Sequence, residues 1–133
     1  MDAEAFWDRL YAMRVSEMTD AERQCFAVNW FLCEWANGFL EQYFYNSGGD
    51  QFDALVEGLT AIGAVEAVAI LKQAKLVLFE NYEVREESLP WPLPDEKREA
   101  LKALDAKIAA QENAIWDGLE SFAVAERLCT PGD

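Results

Sequence analysis

Residues 36–50 read ANGFLEQYFYNSGGD, and their reading decides whether this chain is one long helical run or a set of helices meeting at a joint. The stretch holds four aromatics, the amides Asn37, Gln42 and Asn46, one serine and three glycines. Gly38 can release a helix, and Tyr43 and Phe44 can fill the core beneath a short helical turn. Gly48 and Gly49 can free the chain again before Asp50 restarts it. Gln42 and Asn46 stand at i and i+4, where their amides can bond each other or backbone exposed at the breaks. The stretch therefore reads first as a joint. Its side chains are also of the kind that line a ligand pocket, which leaves Gln42, Tyr43, Asn46 and Ser47 as a second candidate site.

Helical patterns extend from both ends of the joint. On the amino-terminal side, Thr19 followed by Glu22 forms a capping box that opens a run to Trp35. Phe26, Val28, Trp30, Phe31, Leu32, Cys33 and Trp35 leave that run almost no polar face, so it is either central or half covered by a second subunit. Before it, Phe6, Leu10 and Met13 mark one stripe of a first helix from Asp2 to about Val15. After the joint, Asp50 is placed to cap a helix carrying Phe52, Leu55, Val56, Leu59 and Ile62, which stops at Gly63. A fourth helix spans about Val65 to Phe79, with Ala67, Ile70, Leu71, Ala74, Val77 and Leu78 as its inner face. Residues 80–94 end in LPWPLP, an extended strap that Trp91 is suited to pin to the core. Asp95 then caps a final region, as two helices or one bent near Gln111 to Gly118. No alternating run is long enough for a strand, and there is no internal repeat. The expectation is an all-α fold over residues 1–133, a single compact domain of about five to seven helices with a Pro-rich crossing loop.

Composition narrows the chemistry. With 52% hydrophobic residues and 13% aromatics, the 133-residue chain has apolar area enough to fold. Its 25 Asp and Glu against 11 Lys and Arg give a net charge of -14. That balance disfavours direct contact with nucleic acid or an anionic membrane and favours a basic partner. Histidine is absent, which removes the commonest general base and the commonest zinc ligand. Cys25, Cys33 and Cys129 lack metal-ligand spacing and read as reduced thiols packed in the core. Asp50 and Asp53 form a DxxD pair without the spacing of a calcium loop. No cofactor, metal site or catalytic residue is expected, and the chain reads as non-enzymatic. The acidic amino terminus is unlike a secretory signal, and the apolar segment 61–79 carries charges, so a cytoplasmic location without a membrane span is expected.

The charges are unevenly placed. Between Gln24 and Leu71 there is no lysine or arginine, yet Glu34, Glu41, Asp50, Asp53, Glu57 and Glu66 all fall within that segment. Asp50, Asp53 and Glu57 recur at about 4.5 to 6 Å along one helix, a pitch comparable with the phosphates of a DNA strand. These six residues are the candidate partner-binding face.

The stretch from Asn37 to Asp50, followed by Ala54-Leu55 and Ala61-Ile62-Gly63-Ala64, resembles a bacterial family of uncharacterised small acidic helical domains that includes a DNA-mimic protein. The family pattern runs approximately NGGFxQYFxNSxGD. Asn37, Gly38, Gln42, Tyr43, Phe44, Asn46, Ser47, Gly49 and Asp50 match it, as do Ile62, Gly63, Ala64 and Phe79. Arg98 and Leu104-Asp105 are weaker matches, and the likeness covers about residues 20 to 105. Phe39 stands where the pattern has its second glycine, and Leu40 where it has phenylalanine. The resemblance implies an all-helical fold, admits a homodimer, and in one branch implies mimicry of DNA toward a DNA-binding protein. The partner expected is thus a basic protein, such as a DNA-binding protein or transcription factor. The alternative is a small-ligand or metal-ion binding domain, or an enzyme, built on Gln42, Tyr43, Asn46 and Ser47. A helical dimer with no further partner is a third reading.

Overall fold

A computed structural model describes residues 1–46, 48–80, 89 and 92–131, with the backbone alone at 48–50. The helices are α1 (Ala3–Ala12), α2 (Asp20–Tyr45), α3 (Gly48–Ala61), α4 (Val65–Phe79), α5 (Asp95–Ala109) and α6 (Glu112–Ala125). A single 3-10 turn, Val15–Glu17, links the first two, and the described residues contain no strand. The expected all-α fold is what the structure shows.

Local chemistry explains several helix ends. The Asp2 carboxylate accepts the Ala5 amide at 2.8 Å, capping α1. At the start of α2 the capping box is complete: the Thr19 hydroxyl accepts the Glu22 amide at 3.2 Å, and Glu22 accepts the Thr19 amide at 3.0 Å. The other oxygen of Glu22 holds the Arg9 guanidinium at 2.5 Å, tying this cap to α1. Gly63, at φ 79, turns the chain between α3 and α4.

Helix α2 is the central element, packed by α1, α3, α5 and α6. Cys25, Ala27, Val28, Phe31, Leu32 and Trp35 are buried along it, as a helix apolar nearly all round requires. Gly58 lets α3 approach closely. A Cβ there would stand 2.8 Å from Val28 Cγ2 and 2.9 Å from the Gln24 carbonyl oxygen. Beyond the joint, the Tyr43 ring meets Phe31 and Phe44, and Phe44 meets Phe52 and Phe79, joining α2, α3 and α4 through aromatic edges. The carbonyl of Met1 accepts both the amide and the hydroxyl of Thr130, so the two ends of the chain meet.

Several expectations need correction. Helix α2 runs on to Tyr45 instead of ending near Trp35, with a break inside it. Helix α3 starts at Gly48, which puts Asp50 within its first turn and not at the cap. Asp95 likewise lies inside α5, after Pro94, and α5 parts from α6 at Ala110 and Gln111. Val77 is only partly buried. Leu89 and Leu93 are buried, whereas Trp91 and Ser47 lie outside the described residues. Of the cysteines, Cys25 is buried in the core and Cys129 is half-buried against it. Cys33 is exposed, its thiol 3.7 Å from Asn29 Oδ1, because that turn of α2 reaches the surface.

Candidate functional site

The joint is built from the break in α2. Phe39 adopts φ 64 and ψ -159, a region that suits glycine, and the helix resumes at Leu40. The break frees the Leu40 amide, which donates to Asp105 Oδ1 of α5 at 3.0 Å. The Trp35 indole N–H donates to the same oxygen at 3.1 Å. Burial raises the Asp105 pKa, the two hydrogen bonds oppose that shift, and neighbouring Glu41 adds to it.

The amide motif is consumed on the other side of the break. Gln42 Nε2 and Asn46 Nδ2 both donate to Glu34 Oε2, at 3.1 Å and 2.8 Å. Gln42 is thus bonded across the joint instead of to Asn46. It occupies the notch at Gly38, where a Cβ would clash with Gln42 Oε1. Tyr43 and Phe44 are fully buried, with burial raising the Tyr43 phenol, while Asn37 is exposed. A groove of about 480 Å³ beside the joint is lined by Gly38, Glu41, Gln42, Tyr45, Asn46 and Arg98. Tyr43 faces the core instead of this groove.

The six acids of the sequence-derived face lie in different settings. Glu34 anchors the two amides, and Glu41 holds Arg98 at 3.2 Å. Glu66 is exposed near the turn between α5 and α6, where Gln111 donates to it. Asp53 and Glu57 are exposed on α3, and the side chain of Asp50 lies outside the described residues. Asp53 and Glu57 share a groove with Lys72, Lys75 and Leu76 of α4. The base-free segment is therefore base-free in sequence but not in space. The antiparallel α3–α4 hairpin folds the first lysines after Leu71 back beside the acids, a consequence of the short turn at Gly63 that the sequence could have signalled.

The cations have partners more often than the acids do. Arg9, Arg23, Arg98 and Lys102 pair with Glu22, Asp20, Glu41 and Glu99 at 2.5 to 3.4 Å. Lys97 donates to the Leu78 carbonyl, and the Lys75 ammonium lies 5.6 Å from the Phe52 ring centre. Helix α6 adds exposed Asp117 and Glu120, and neither α3 nor α6 contains a lysine or arginine. Among the described residues, no group of three or more His, Cys, Asp or Glu is placed to hold a metal ion. No helix among them is long and apolar enough to cross a membrane.

No curated protein and no solved structure matches the chain. A family model described as DMP19-like protein matches residues 16–126, reaching beyond residue 105 to take in α6. With most of its length matched, including the joint and Asp105, the chain belongs to the DMP19-like protein family.

Proposed function

We propose that this chain is a non-enzymatic protein-interaction domain whose carboxylates engage a basic partner, in particular a DNA-binding protein, in place of DNA phosphates. The observation that carries the reading is the internal use of the bases. With a net charge of -14, pairing every lysine and arginine with one acid still leaves 14 carboxylates without a cation. Four of the bases are already engaged in ion pairs within the fold. The contacts are best sought at exposed Asp53 and Glu57 of α3 and Asp117 and Glu120 of α6. Membership of the family supports the same reading. Such a surface repels nucleic acid and anionic lipid, which leaves a cytoplasmic protein, or a second copy besides it, as partner.

The test is affinity capture at low and high salt, followed by competition with duplex DNA for the captured protein. A partner bound through these acids should be a basic DNA-binding protein and should lose affinity steeply between about 50 and 200 mM salt. It should be displaced by DNA, and charge reversal at Asp117 and Glu120 together with Asp53 and Glu57 should abolish capture. Capture indifferent to those reversals would sink the reading.

The joint groove supports the alternative of a small-ligand site, but less well. The amide nitrogens of Gln42 and Asn46 are bonded to Glu34, and Tyr43 is buried. Thermal-shift screening against metabolites and divalent ions separates the two. Stabilisation that is lost in Arg98→Ala would favour the pocket.

A further inference from the structure

A groove of about 640 Å³ runs between α3 and α4. Asp53 and Glu57 stand on its α3 side, Lys72 and Lys75 on its α4 side with Glu80 at the end of that helix, and Phe52, Val56 and Leu76 are its apolar lining. Leu76 is 57% exposed. Among the described residues no ion pair joins the two walls, and the Lys75 ammonium lies over the Phe52 ring, 5.6 Å from its centre. Water can satisfy either charged wall. It cannot satisfy Leu76.

This polarity selects an occupant. A DNA-reading surface dense in arginine and lysine can meet Asp53 and Glu57 but leaves Lys72 and Lys75 uncompensated, so phosphate mimicry alone does not account for the groove. An amphipathic helix fits all three strips. Glu57 lies four residues beyond Asp53, a rise of about 6 Å, and Lys75 three beyond Lys72, about 4.5 Å. Those are the i, i+4 and i, i+3 steps along one edge of a second helix.

We infer that the α3–α4 groove docks an amphipathic helix of a partner protein. Its apolar stripe covers Leu76 and Val56, one edge carries lysine or arginine against Asp53 and Glu57, and the other carries carboxylates against Lys72 and Lys75. The inference rests on the proposed protein-interaction role only in requiring a protein partner, and it names the partner's docking element.

The probes are fluorescent designed helical peptides, with binding to the full chain read by anisotropy. One peptide has a leucine stripe between a lysine edge and a glutamate edge. A second has lysine on both edges, and a third replaces the stripe with serine. The mixed-edge peptide should bind saturably and at least about tenfold more tightly than the serine peptide. Leu76→Glu, at an exposed position, should weaken it by about tenfold or more while far-UV dichroism stays unchanged. Lys72→Glu with Lys75→Glu should turn the preference toward the doubly basic peptide. Tighter binding of the doubly basic peptide to the unaltered chain, insensitive to Leu76→Glu, overturns the groove and leaves the acidic-surface reading intact. Mixed-edge binding without any captured basic partner supports the groove and counts against that reading. A dimer that Leu76→Glu disperses, with no peptide bound, overturns the inference by making a second copy the occupant.

Discussion

The Asp105 carboxylate accepts the Leu40 amide at 3.0 Å across 65 residues of chain, and so caps a helix that begins inside another helix. The same oxygen takes the Trp35 indole N–H. Asp105→Ala leaves two donors without a partner, and each such loss costs about 1 to 3 kcal/mol, so a destabilisation of about 2 to 6 kcal/mol is expected by urea unfolding. Asp105→Asn keeps an acceptor oxygen and removes a carboxylate whose ionisation burial opposes. It should stay within about 1 kcal/mol of the parent at pH 7. Equal losses in both variants would show that the charge, not the acceptor, holds the joint.

Phe39 sits in a glycine conformation while its ring rests edge-on against Trp35, with centroids 5.4 Å apart. Replacing it with glycine and with alanine removes the same ring contact and leaves the backbone as the difference. In an ordinary helix interior alanine is favoured by about 1 kcal/mol. Here the order should invert, with Phe39→Gly more stable than Phe39→Ala by about 1 to 3 kcal/mol. Thermal unfolding of the pair decides it, and alanine as the more stable variant would contradict the strained geometry.

What was legible in the sequence was local. The Thr19–Glu22 box and the span of α4 follow from spacing within one turn or one stripe. Gly38 announced a break. Nothing near it announced that Glu34 would receive Gln42 and Asn46, because a continuous helix places Glu34 and Gln42 about 12 Å apart along its axis. The break itself brings them together. Asp105 could not be assigned its role from spacing, since its donors are Leu40 and Trp35 on another helix. The acidic face was read from its run of sequence and from the pitch of Asp50, Asp53 and Glu57 along one helix, whereas Lys72 and Lys75 come beside Asp53 and Glu57 only through the hairpin.

Glu34 links the two sides of the break through one oxygen. Gln42→Ala and Asn46→Ala should each lower stability, by about 1 to 2 kcal/mol for partly exposed bonds to a charged acceptor. Because they share that acceptor, neither substitution should add its full cost in a Glu34→Ala background. A double-mutant cycle measures the coupling, and strict additivity would remove Glu34 from the joint.

Acid should act on Glu22 and Asp105 with opposite signs. The Thr19 amide, aided by Arg9, holds the Glu22 carboxyl below its usual 4.5 although burial pushes the other way. The unfolded chain therefore binds more protons at this site in acid. The stability it contributes is present above 4.5 and is lost as pH falls through the lower folded value. Asp105 is raised above its usual 3.8, so the folded chain holds the extra proton and the cost of ionising it disappears as pH falls. Glu22→Gln should lower stability by about 1 to 2 kcal/mol at pH 7 and flatten the acid limb below about pH 4.5. Any advantage of Asp105→Asn should instead be greatest at neutral pH and shrink as Asp105 in the parent takes up its proton. Urea midpoints from pH 7 to pH 3 read both effects. An acid limb as steep in Glu22→Gln as in the parent would assign acid unfolding to other carboxylates.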